Sequence, residues 1–187
     1  MTTTPRPASN GRPFTGAVFI AASLDGYIAR SDGDIDWLTS RGQQAGDTGY
    51  ERFIAGIDSV VMGRKTYELA RTFERWPHEG RRVAVLSTRL STGIDPRISV
   101  HRSIADLVAA LTASGASRVY VDGGQVIQAF LAEGLIQEFT LTTAPLLLGS
   151  GRSLFGRLTH ELPLTHRATT VLGAGMVQST YTTTDGS

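Results

Sequence analysis

Two glycine-containing turns carry the residues of this sequence that are best suited to bind an anion. One spans residues 63–66 and the other spans residues 123–126, and each joins an apolar β-branched stretch to a helix-like stretch. A helix that begins at such a turn presents free backbone N–H groups. Arg64 and Lys65 add positive charge in the first turn. Two such turns on one sheet predict a dinucleotide site.

A simpler reading of either turn by itself is that glycine only permits unusual backbone angles there. Neither turn has the spacing G-x-G-x-x-G or G-x-x-x-x-G-K-[ST]. The sequence therefore argues against a standard Rossmann site and against a P-loop.

The composition indicates one globular domain. The chain has 187 residues, of which 41% are hydrophobic and 19% charged. A net charge of +1 gives no broad reason to bind nucleic acid or a membrane. The chain has no cysteine, and its four histidines lack metal-ligand spacing, so we expect no metal site. Without a signal-like apolar stretch, the sequence predicts a cytoplasmic protein with a flexible tail at residues 1–14 and a domain at residues 15–184.

Strand and helix patterns alternate through the middle of the chain, which predicts an α/β fold with a mostly parallel sheet. The apolar run Ala17–Ala22 is typical of a strand buried on both faces, and residues 47–57 have helical spacing. The pattern changes near the C-terminus, where the last three strands, residues 139–148, 164–172 and 176–182, lack a convincing helix between the final two. We therefore expect helices around a central sheet that ends in an antiparallel C-terminal edge.

The chain resembles the dihydrofolate reductase-like superfamily, and more closely the branch that contains the reductase domain of riboflavin biosynthesis. The resemblance covers about residues 16–182. It rests on the number, order and spacing of motifs that are individually weak: S-L-D-G-Y-I-A from residue 23, D-W from 36, M-G-R-K-T-Y-E from 62, L-S-T from 86, D-G-G from 122 and P-L-L-L-G-S-G from 145.

The resemblance implies a single-domain dihydrofolate reductase-like fold and hydride transfer from NADPH to a C=N or C=O bond. Arg64, Ser87 and Arg89 would favour NADPH over NADH by binding the 2′-phosphate, although Arg89 is equally a solvated surface residue. The cofactor residues implied in this way are Ala22, Ile28, Gly63, Arg64, Lys65, Thr66, Leu86, Ser87, Thr88, Arg89, Val121, Gly123, Gly124, Gln125 and Val126.

The same resemblance implies two catalytic carboxylates. Asp25 would orient the substrate, and Asp47 would deliver a proton from the start of a helix. Each has a simpler alternative, because Asp25-Gly26 is an ordinary turn pair and Asp47 suits a helix N-cap. Asp122 stands where folate reducers have glycine, so it either caps the next helix or faces the substrate.

The implied substrate residues are Ser23, Trp37, Gly149, Ser150, Gly151 and Arg152. Core packing is the alternative for Trp37, and a flexible connection is the alternative for the Gly-Ser-Gly loop.

The sequence thus predicts an NADPH-dependent reductase acting on a small heterocyclic or ribosylated-pyrimidine substrate. A pterin or dihydrofolate reductase and a non-catalytic dinucleotide-binding sensor are the alternatives. The resemblance also implies a homodimer.

Overall fold

The computed structural model describes residues 12–184 and contains an eight-stranded sheet. Its strands are β1 (Thr15–Ser23), β3 (Ser59–Gly63), β4 (Arg82–Leu86), β5 (Ile98–His101), β6 (Arg118–Asp122), β7 (Glu138–Ala144), β9 (Leu164–Val171) and β10 (Val177–Thr183). They lie in the order β5-β4-β3-β6-β1-β7-β10-β9. A separate two-stranded sheet pairs β2 (Tyr27–Ala29) with β8 (Arg152–Ser153).

In the order of the sheet, the six strands β5, β4, β3, β6, β1 and β7 are parallel to one another. Strand β10 is antiparallel to both β7 and β9. The prediction of a mostly parallel sheet with an antiparallel C-terminal edge is confirmed. Because the parallel strands end at one edge, the turns that follow them lie together there.

Helices cover both faces of the parallel part, so its central strands are buried on both sides. The helices are α1 (Asp36–Gly42), α2 (Tyr50–Ala55), α3 (Arg64–Ala70), α4 (Ile104–Ala113) and α5 (Gly124–Ala132). On one face α4 and α5 bury residues such as Leu107 and Phe130 against the sheet. On the other face α2 and α3 bury Phe53 and Tyr67.

Several elements differ from the sequence-based expectation. Helix α1 and strands β2, β5 and β8 were not predicted, and β7 ends at Ala144 rather than continuing to Leu148. Residues 1–11 of the predicted tail lie outside the described residues, whereas Phe14 is buried in the core.

Within residues 12–184, no helix is both long and apolar enough to cross a membrane. The same part of the chain has no cluster of three or more acidic or histidine side chains arranged to hold a metal ion.

Candidate active site

The two predicted turns lie side by side at the carboxyl edge of the sheet. They are adjacent because β3 pairs directly with β6, with Met62 opposite Asp122. A Cβ atom added at Gly123 would collide with the Thr66 hydroxyl, and one at Gly63 would lie 3.3 Å from a methyl group of Val126. The structure therefore brings the two predicted anion-binding turns into contact.

The second turn forms the start of α5, where Gly124 is buried. Gly123 is the N-cap residue with φ of 89°, a conformation that favours glycine, and within residues 12–184 no side chain caps the helix. Gly124 packs closely, since an added Cβ would lie 2.9 Å from the Ile28 side chain and 3.0 Å from the Ser153 carbonyl oxygen. The β2–β8 sheet thus lies against this turn, with Ile28 at the contact.

The other residues predicted to bind the cofactor differ in how far they are buried. Val121 and Val126 are buried in the core, and Gln125 is exposed in the first turn of α5. Ala22 is buried near the end of β1, where it pairs with Thr143 of β7.

The end of β4 lies next to the first turn, with Leu86 opposite Gly63. The Ser87 hydroxyl accepts the backbone N–H groups of Arg89 and Leu90 at 3.2 and 3.1 Å, which shapes the loop. The side chains of Thr88 and Arg89 are exposed.

A further arginine, which the sequence analysis missed, reaches the same loop. Arg102 follows β5 and donates a hydrogen bond to the Ser87 carbonyl oxygen at 2.6 Å. Three successive strand ends therefore carry Arg64, Ser87 and Arg102 in a row of cations and a hydroxyl. The sequence signal for Arg102 was the unrecognised strand β5, which ends immediately before it.

Asp25 holds the loop after β7 to the exit of β1. Its carboxylate accepts hydrogen bonds from the Ser23 hydroxyl at 2.6 Å and from the backbone N–H groups of Leu148 and Gly149 at 3.1 and 2.7 Å. The hydrogen bond from Ser23, joined by these two, lowers the pKa of Asp25 below its usual range, against an opposing effect of desolvation. Ser23 in turn accepts the N–H of Tyr27 at 2.9 Å. Both residues therefore fix the loop geometry of this edge.

The other predicted substrate residues are divided between core and loop. Trp37 is 5% exposed and packs with Ala45, Ala144 and Met176. This is the packing role that the sequence left open. Its indole N–H has no hydrogen-bond partner within residues 12–184.

The loop before β8 faces the loop that follows β2. Gly149 and Ser150 are exposed, and Gly151 leads into β8. Arg152 turns towards the β2–α1 loop, where it donates to the Asp32 carbonyl oxygen at 3.3 Å. Ser150 lines an open pocket of about 290 Å³ together with Arg30 and Asp32.

Asp47 does not have the burial that a proton-delivery role requires. Its side chain is 78% exposed, accepts the N–H of Gly49 at 2.7 Å and lies 3.5 Å from Arg52. The helix α2 begins at Tyr50, three residues after the start expected from the pattern, so Asp47 stays in the preceding turn.

Asp122 is a half-buried and desolvated carboxyl at this edge. It does not cap α5, whose N-cap is Gly123. Desolvation raises the pKa of Asp122 to about 6, against the lowering effect of the nearby Gly123 N–H and Tyr120 hydroxyl. Burial, with the charge of Asp122, likewise raises the pKa of Tyr50 to about 12. Asp122 therefore lies on the α2 face of the sheet, beside the two turns, as a carboxyl with a raised pKa of about 6.

The fold and the paired turns define an α/β protein with a dihydrofolate reductase-like fold. The chain matches the RibD C-terminal domain family over residues 15–178 and belongs to that family.

Three comparisons extend this assignment. An uncharacterized protein of Bacillus subtilis, YwjB, is 33% identical over 159 residues, which are 83% of this chain and 91% of YwjB. A Shewanella crystal structure, provisionally named for riboflavin biosynthesis, is 37% identical with a TM-score of 0.83, covering 91% of this chain and 99% of the other. Dihydrofolate reductase from Enterococcus faecalis, solved with NADP(H), has a TM-score of 0.66 at 16% identity and covers 93% and 98%. The last similarity is one of fold.

Proposed function

We propose that this protein is an NADPH-dependent reductase that transfers a hydride to a small heterocyclic substrate, with a ribosylated pyrimidine as the first expectation. The observation that carries the proposal is the contact between the two glycine turns at the ends of β3 and β6. Membership of the RibD C-terminal domain family supports the riboflavin-type substrate. The similarity to a dihydrofolate reductase solved with NADP(H) supports the cofactor.

The residues of the two turns fit a dinucleotide. The start of α5, which no side chain caps within residues 12–184, would offer backbone N–H groups to a pyrophosphate. Arg64, Ser87 and Arg102 offer the cations and the hydroxyl that a 2′-phosphate requires. When bound, NADPH supplies the hydride, and this chain has only to orient the two reactants and handle a proton.

Asp122 is the residue best placed to handle that proton. General acids work best when their pKa lies near the working pH, and burial raises the pKa of Asp122 to about 6. A carboxyl on this face would hold a proton up to about pH 6 and would accept or donate a hydrogen bond at the substrate edge. This role replaces the one that the sequence suggested for the exposed Asp47.

Titration with NADPH and with NADH, followed by nicotinamide fluorescence, tests the cofactor site. We expect NADPH to bind more tightly than NADH, and Arg64→Ala and Ser87→Ala to weaken NADPH binding by roughly tenfold or more each. Arg75→Ala, at an exposed arginine of the loop after α3, should leave the affinity unchanged. Failure of wild-type protein to bind either dinucleotide would refute the reductase assignment.

A substrate screen then separates the enzyme from the sensor. NADPH oxidation with a pyrimidine would support the first expectation, and oxidation with a pterin would favour the folate-type alternative. NADPH binding without turnover on either class would favour a dinucleotide-binding sensor.

We also propose a cytoplasmic homodimer that acts on a small molecule without binding nucleic acid or membrane. Among residues 12–184, β9 has no partner on its outer edge, and Val171 on this strand is exposed, which supports pairing with a second copy. Light scattering after size exclusion should give twice the 20.0 kDa mass of the chain. A monomer would contradict this proposal alone.

A further inference from the structure

Both cations of the first turn share one carboxylate. Glu68 forms an ion pair with Arg64, four residues before it, and its other oxygen lies 3.7 Å from the Lys65 ammonium group. The side chains are 29% exposed for Arg64, 40% for Glu68 and 63% for Lys65. The positive charge that a phosphate would meet is therefore already partly neutralised within α3.

The arrangement follows from where the charges lie on the helix. Cations at the start of a helix are unfavourable next to the positive end of its dipole, so Arg64 and Lys65 gain from a nearby anion. Glu68 is the residue one turn further along, at the spacing where helix side chains meet. The Arg64 guanidinium is consequently drawn along α3 towards Glu68.

The residues at the neighbouring strand ends place Arg64 where it could also bind a phosphate. Gly63 lies opposite Leu86, so Arg64 and Ser87 follow adjacent strand ends, and Arg102 reaches the Ser87 carbonyl group. A phosphate bound in this row and the Glu68 carboxylate would therefore require the same guanidinium. Of Arg64, Lys65 and Glu68, Arg64 has the least exposed side chain, so its charge is the least screened by solvent.

We propose that Glu68 is a built-in competitor for the phosphate of the cofactor, holding Arg64 when the site is empty and releasing it when a 2′-phosphate binds. This inference rests on the proposed NADPH site. A dianionic phosphate outcompetes a single carboxylate for the guanidinium, whereas a dinucleotide without that phosphate leaves the Arg64–Glu68 pair intact. Glu68 thus lowers the affinity for NADPH and promotes release of the oxidised dinucleotide.

The isosteric change Glu68→Gln tests the proposal. It should tighten NADPH binding by roughly three- to tenfold at low ionic strength, because it frees Arg64 and removes a repulsive charge. NADH binding should improve by less than about twofold, since NADH offers Arg64 no phosphate at this position. The gain should shrink as salt is added, because the charges are partly exposed.

A double-mutant cycle with Arg64→Ala identifies the partner through which Glu68 acts. In the Arg64→Ala background, Glu68→Gln should change NADPH affinity by less than about twofold. Glu74→Gln, at an exposed glutamate beyond the end of α3, makes the same change in net charge and should have no effect. Thermal melts of all variants establish that each protein is folded.

Unchanged or weaker NADPH binding by Glu68→Gln would overturn the proposal, and weaker binding would show instead that the carboxylate orients Arg64 for the cofactor. An equal gain for Glu74→Gln would overturn it as well, because the effect would then be one of net charge. Failure of the wild type to bind NADPH would overturn the proposed function and this inference together.

Discussion

Replacing Asp122 with Asn should stabilise the protein at neutral pH, because the native state holds a carboxylate there in a poorly solvated position. The native pKa is about 6, against 3.8 for an ordinary aspartate. The native state therefore binds the proton more tightly than the unfolded state does. Between these two pKa values the stability of the wild type must fall as the pH rises.

The size of the effect follows from the same two pKa values. Each pKa unit corresponds to about 1.36 kcal/mol, so a full difference would cost the wild type at most about 3 kcal/mol above pH 6. Asp122 is only partly buried, which reduces the expected penalty to about 1–3 kcal/mol. Asn has nearly the same shape and no charge, so it removes this penalty while losing any proton-handling role.

Urea unfolding of wild type and Asp122→Asn between pH 4 and pH 8 measures this directly. The free-energy difference between the two proteins should be small near pH 4, grow through pH 5 and 6, and level off above pH 7 in favour of the variant. Asp106→Asn, at an exposed position in the first turn of α4, controls for the loss of one negative charge. A difference that does not change with pH would refute the assignment of a raised pKa to Asp122.

Three further substitutions test one packing contact and the hydrogen bonds of two other residues. Gly124→Ala should cost about 1–2 kcal/mol of unfolding free energy and weaken NADPH binding, because the new methyl group meets the β2–β8 sheet. The control Gly42→Ala, which has open space for the methyl group, should be neutral or stabilising. Equal shifts in melting temperature for the two variants would contradict the predicted clash at Gly124. Tyr67→Phe removes a 3.0 Å hydrogen bond to the buried Asp95 and should cost about 1 kcal/mol in urea unfolding; an unchanged midpoint would show that the bond contributes nothing. Asp25→Asn should accelerate amide exchange in the β7–β8 loop by roughly tenfold, and exchange as slow as in the wild type would show that another contact holds that loop.

The sequence was sufficient to predict the two turns and the sheet apart from its edge strand β5. Strands buried on both faces appear as short apolar runs such as 60–62 and 119–121, and glycine after each run marks the junction with a helix. These signals are local, so they can be recognised in the sequence without knowledge of the fold. The short strands β2 and β8 were missed because each is held by its partner and by α5 rather than by its own pattern.

The identity of the desolvated carboxyl could not be predicted in this way. Counting along the chain selected Asp47, whereas the desolvation of Asp122 arises where β6 pairs with β3, two segments that are distant in sequence. Glu68 differs in this respect, because it follows Arg64 by four residues in the sequence. This spacing on a helix by itself predicts the ion pair that the structure contains.

The pairing of β3 with β6 also has a consequence for how the protein folds. The two turns are some 60 residues apart in sequence and become neighbours only through this non-local parallel pair. Such pairs form late, because the entropy of closing the long intervening loop must be paid before they add stability. A dinucleotide should therefore neither nucleate the chain nor speed its folding, but should bind once the sheet is complete and slow its unfolding.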